Sequence, residues 1–95
     1  MIINLYQQQA QKFQQLAEKI IAQPALYLAF DSVADFYAAS YLAEFPKGSR
    51  YFATGLDDGA EQFYARIEYV TPSQVYFLNI TKTEQTTAQF GVMSR

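Results

Sequence analysis

Cysteine, histidine and tryptophan are absent from these 95 residues, and proline and glycine occur only three and four times. Without cysteine there is no disulfide, no thiolate metal site and no cysteine nucleophile. Without histidine the chain lacks the side chain that ordinarily moves protons near neutral pH and most often ligates zinc. These two gaps exclude most of the hydrolytic and zinc-dependent mechanisms built on such residues. Charge is scarce as well. Nine acidic and seven basic residues leave a net charge of −2, which does not draw nucleic acid over long range. No apolar run approaches bilayer-spanning length, and the opening MIINLYQQQAQKF lacks the basic start and continuous apolar centre of a secretory signal. A cytoplasmic protein with no membrane association is expected.

What the chain does have is apolar and aromatic bulk. Half of it (51%) is hydrophobic, and eight Tyr and eight Phe make up 17%, a composition that folds rather than staying disordered. Its length suits one domain over residues 1–95 with one core. Sixteen rings are many for a core of that size, so part of the ring area is expected at a surface.

Asn4 followed by Gln7 resembles a capping box, and from there to about Ala22 the residues Tyr6, Ala10, Phe13, Ala17 and Ile20 recur four and three apart, widened by Leu16 and Ile21. This predicts an amphipathic helix whose other side is a solvated glutamine face. Pro24 ends it. Ala25 to Phe30 is an unbroken apolar run between breakers and reads as a strand buried on both faces, central in the sheet. Asp31 and Ser32 suit the cap of a second helix, from Val33 to about Phe45, with Asp35 in its first turn. That helix has no clean polar side and must be deeply buried or covered by another chain.

After Pro46-Lys47-Gly48 the pattern changes to strands, over Tyr51 to Leu56, Gln62 to Val70 and Val75 to Thr81, with a short edge strand at Ala88 to Met93. Asp57-Asp58-Gly59 and Thr71-Pro72-Ser73 supply turns. Phe63, Ala65, Ile67 and Tyr69 alternate with Tyr64, Arg66 and Glu68, and Tyr76, Leu78 and Ile80 should share their core. The fold class is therefore α+β, a two-layer unit in the order α-β-α-β-β-β(-β), with a mainly antiparallel sheet and two helices packed on one face.

Constellations for chemistry are sparse. Asp57, Asp58 and Glu61 form the one acidic cluster, without the alternating ligands of a calcium loop. An acidic turn followed by Glu68 invites comparison with restriction-type nucleases, but their Lys two positions beyond the strand acid is replaced here by Val70. The stretch YARIEYVTPSQVYFLNITKTEQT superficially looks like the last strands of ribonuclease toxins, whose grip on RNA rests on a basic surface this acidic chain does not share. Neither a catalytic residue nor a metal or cofactor site is expected, and the chain is read as not an enzyme.

The leading expectation is a non-enzymatic protein-binding module, in the manner of small prokaryotic or phage inhibitors, immunity proteins and anti-defence (anti-CRISPR-like) proteins, taking a protein partner through surplus rings. Candidate contact residues are either Tyr37, Tyr41 and Phe45 on the second helix or Tyr64, Arg66 and Phe77 on the outer sheet face. The alternatives are a nucleic-acid platform drawing on Arg50, Tyr51, Tyr64, Arg66, Phe77 and Lys82, disfavoured by the net charge, and a homodimer built through the second helix.

Overall fold

The computed structural model describes residues 5–30, 32–55 and 62–95. Its longest helix, α1 (Leu5–Ala22), forms where apolar residues recur every three or four positions and unbranched glutamines fill the remainder. Ala10, Phe13, Leu16, Ala17 and Ile20 are buried along it, whereas Tyr6 and Ile21 at the margins of the stripe are exposed. Asn4 lies outside the described residues.

The segment expected as a central strand is helical instead. Pro24 opens a short helix, α2 (Pro24–Tyr27), in which the Leu28 N–H donates to the Pro24 carbonyl at 2.8 Å. Proline at a first helical position costs nothing, since its missing N–H would be unpaired there. A short apolar run does not by its periodicity separate buried strand from buried helical turn. Here Leu28 and Phe30 are buried while Leu26 and Ala29 are exposed.

The expected second helix is likewise broken. It consists of α3 (Val33–Tyr37) and a separate 3₁₀ turn, Ser40–Glu44. Ser32 caps α3 as anticipated, its Oγ accepting the Asp35 N–H at 3.0 Å. Ala39 is extended between the two pieces, with φ −64° and ψ 125°. The break has a physical reason: apolar residues spread around a straight helix cannot all reach one core, whereas a change of axis lets Phe36, Tyr41 and Phe45 be buried together.

Four strands follow: β1 (Arg50–Gly55), β2 (Phe63–Val70), β3 (Gln74–Lys82) and β4 (Thr86–Ser94). They pair antiparallel in sequence order, so the α+β class with an antiparallel sheet holds. β4 begins two residues earlier than its expected start. At the β2–β3 turn the Thr71 Oγ1 accepts the Gln74 N–H at 3.0 Å, and the Thr71 N–H donates to the Gln74 carbonyl at 2.8 Å. The expected Asp57-Asp58-Gly59 turn lies outside the described residues.

One continuous core joins the inward sheet residues Phe63, Ala65, Ile67, Tyr69, Leu78 and Ile80 to Phe13, Leu16, Ala17 and Ile20 of α1 and to Leu28, Phe30, Phe36, Tyr41 and Phe45. Its rings meet at an angle, with Phe30–Phe63 centroids 5.0 Å apart and Phe13–Phe45 centroids 5.1 Å apart, as the aromatic quadrupole favours. Lys82 donates to the Phe30 carbonyl and its Nζ lies 4.9 Å from the Phe30 ring centroid, anchoring the irregular segment to β3.

Tyr41 carries an unmet demand in this core. Its hydroxyl is buried without a hydrogen-bond partner, and burial pushes its pKa up to about 12. Tyr41→Phe is therefore expected to raise unfolding stability at neutral pH by about 1 kcal/mol, since it removes an unpaired buried hydroxyl. The same variant should also flatten the alkaline limb. The unfolded phenol ionises near 10 and the folded one near 12, so its contribution is complete below the lower value and is lost as pH rises through the upper one, at about 1.4 kcal/mol per unit. Urea melts of both proteins from neutral to strongly alkaline pH measure both effects, and equal slopes would refute the second.

Candidate binding face

Because successive strand residues point to opposite sides, the residues not spent on the core form the outer sheet face. β1 sends out Phe52 and Thr54, β2 sends out Tyr64, Arg66 and Glu68, and β3 sends out Phe77, Asn79 and Thr81. Register then decides who meets whom. Phe52 lies opposite Arg66, Arg66 opposite Asn79, Glu68 opposite Phe77, and Phe77 opposite Gly91.

Arg66 is the organising side chain. Its Nε donates to the Glu68 carboxylate at 3.0 Å, its Nη1 donates to Asn79 Oδ1 at 3.1 Å, and its guanidinium stands 4.5 Å from the Phe77 ring centroid. Residues two apart on one strand share a face, which is why Arg66 and Glu68 can pair. The stack adds roughly 0.5–2 kcal/mol, more as the cation is desolvated. Phe77 in turn lies flat over Gly91, where an added Cβ would come within 2.3 Å of the ring. A glycine at this strand position thus serves a close approach.

Beside this fixed cluster two rings remain open to solvent. Phe52 is 49% exposed and Tyr64 46%. They border a shallow groove of about 350 Å³ together with Thr54, Arg66, Asn79 and Thr81. Arg50 reaches Glu68 at 4.0 Å from the rim, so the carboxylate on this face is shared between two guanidinium groups. What the face offers chemically is two exposed rings and the arginine donors not already used by Glu68 and Asn79.

The two alternative sets of expected contact residues lie on different parts of the molecule. Tyr64, Arg66 and Phe77 share the outer face, with Phe77 half-buried under Arg66. Tyr37 is exposed on α3, and its hydroxyl donates to the Tyr51 carbonyl at 3.3 Å. Tyr41 and Phe45 are core residues, 8% and 4% exposed, and are corrected accordingly: the broken helix turns them inward. Of the sixteen rings, Tyr6, Tyr37, Phe52 and Tyr64 are the exposed ones. Phe52 was not anticipated. In the run Arg50-Tyr51-Phe52-Ala53 either ring suits the inner side, and it is the pairing of Ala53 with buried Ala65 that sets the register. The same register puts Tyr51 and Lys82 on the inner side, where the Tyr51 hydroxyl donates to the Leu42 carbonyl at 2.9 Å.

Among the described residues no group of three or more metal-ligating side chains comes together, and no helix is long and apolar enough to cross a membrane. Asp57, Asp58 and Glu61 lie outside those residues. No protein-family model matches the chain, and neither a curated protein nor a solved structure matches it.

A Cβ at position 91 must displace the Phe77 ring and with it the stack on Arg66. Gly91→Ala should therefore cost about 1 kcal/mol in the otherwise unchanged protein but be neutral or slightly stabilising in a Phe77→Ala background, where strand propensity alone counts. A double-mutant cycle by chemical denaturation reads this coupling. An equal cost in both backgrounds would contradict the flat packing of Phe77 on Gly91.

Proposed function

We infer that the chain is a non-enzymatic module that binds a partner protein on its outer sheet face, with Phe52 and Tyr64 as the anchoring rings. The observation that carries this reading is the pair of exposed rings beside an arginine already held by Glu68, Asn79 and Phe77. Protein contacts concentrate their energy in aromatic and arginine anchors that bury into a partner, and a preformed anchor loses little entropy on binding. A small inhibitor or immunity-type protein, anti-defence proteins of bacteria and phages among them, acts in this way, by occupying a target's surface rather than by transforming it.

The nucleic-acid alternative uses the same rings but needs free cations beside them. Here both arginines of the face turn to Glu68, Lys82 is committed to Phe30, and the chain carries a net charge of −2. Those features favour a protein partner, whose burial against the rings does not depend on counterion release.

The test is to capture the partner with the intact chain, purify it and titrate it calorimetrically. Phe52→Ala and Tyr64→Ala should each weaken binding by about 2 kcal/mol, roughly thirtyfold, with little dependence on salt. Both side chains are about half exposed, so the variants should remain folded with unfolding lowered by no more than several degrees, and affinity is compared below that transition. Wild-type affinity in both variants would reject this face as the binding surface. A single-stranded oligonucleotide bound with steep salt dependence would reject the protein-partner reading.

A further inference from the structure

The two outer edges of the sheet are built differently. β1 begins with a charged Arg50 and has its Tyr51 carbonyl capped by the Tyr37 hydroxyl. Such features are how natural sheets keep a foreign strand from adding to an edge. β4, at the opposite edge, is nine residues long, and its sequence TTAQFGVMS contains no charge and no proline. Its free side has no strand partner among the described residues. Val92 and Met93 on it are 44% and 51% exposed, and Leu26, 66% exposed, stands on α2, which contacts β4.

We propose that β4 is a self-association edge, at which a second copy of this chain adds its own β4 antiparallel to form a continuous eight-stranded sheet. The occupant follows from the strand's chemistry and from closure. An uncharged strand pairs with itself without setting like charges opposite one another. A two-fold axis at β4 also closes the assembly, leaving the two β1 strands as its outer edges among the described residues, whereas β1-to-β4 pairing would run on into an open filament. Val92, opposite Tyr76, and Met93, opposite Val75, are exposed apolar side chains of β4, one on each face of the sheet. The outer faces of the two copies then adjoin, so the ring-bearing surfaces lie on one side of the dimer. The edge argument stands apart from the partner-binding reading and uses none of its residues.

Sedimentation equilibrium of the full chain over a wide concentration range should return twice the 10.8 kDa monomer mass. Thr87→Lys with Met93→Lys places two cations on exposed positions of the strand and should weaken dimerisation by at least about tenfold, as edge lysines do, while Ala34→Lys, at an exposed position of α3, leaves it unchanged. Amide hydrogen exchange of the unmodified protein gives a second measure. Protection should extend to the amides on the free side of β4 and be lost in the lysine pair. A monomer throughout the range, open-ended larger species, a dimer that survives the lysine pair, or unprotected amides on the free side of β4 in the unmodified protein would each overturn the proposal.

Discussion

The seating of α1 on the inner face of the sheet is the contact on which everything else depends. Phe13, Ala17 and Ile20 from the helix and Ile67, Leu78 and Ile80 from the sheet are almost wholly removed from water, and burial of side chains of this size is the dominant favourable term in folding. It also fixes polarity. Once Phe63, Ala65, Ile67 and Tyr69 point toward α1, the pleat obliges Tyr64, Arg66 and Glu68 to point away, and the antiparallel register carries the same decision to β1, β3 and β4. The outer face is a consequence of the core rather than a separate construction.

That consequence clarifies the surplus of rings. Seven of the sixteen are buried: Phe13, Phe30, Phe36, Tyr41, Phe45, Phe63 and Tyr69. The core therefore absorbs more of them than a stripe of helix and one sheet face suggest, because the broken segment after α2 folds three of its own rings inward. What is left is more specific than a general excess. On the outer face it consists of Phe52 and Tyr64, set beside a guanidinium whose direction is already determined. In the proposed reading such a surface meets its partner by shape and ring contact, since its charges already pair with one another.

Much of this architecture was legible in the residues. The three-and-four spacing from Tyr6 to Ile20 marked α1, the alternation from Phe63 to Tyr69 marked β2 and its inward side, and Thr71-Pro72-Ser73 marked the turn that places Tyr64 and Arg66 near Phe77. Legibility failed where periodicity carries no information. Ala25 to Phe30 is apolar at every position, so helix and strand predict the same string, and the local bonds from Gln23 and Pro24 decide it. Val33 to Phe45 is apolar on all sides, and only a break at Ala38-Ala39 reconciles it with a single core. Phe52 was missed because adjacent rings at 51 and 52 hide the pleat until a partner strand supplies the register. Gly91 gave no signal of its own, since its role exists only under Phe77.

The central claim is that the isolated chain holds the Phe52 and Tyr64 rings in solvent on the outer sheet face while the core rings are sealed. Adding a soluble paramagnetic agent and following ring proton resonances by NMR tests it directly. Strong broadening at Phe52 and Tyr64, with Phe13, Phe36 and Phe63 unaffected, is the predicted result; Phe52 and Tyr64 shielded to the same degree as those core rings would contradict it.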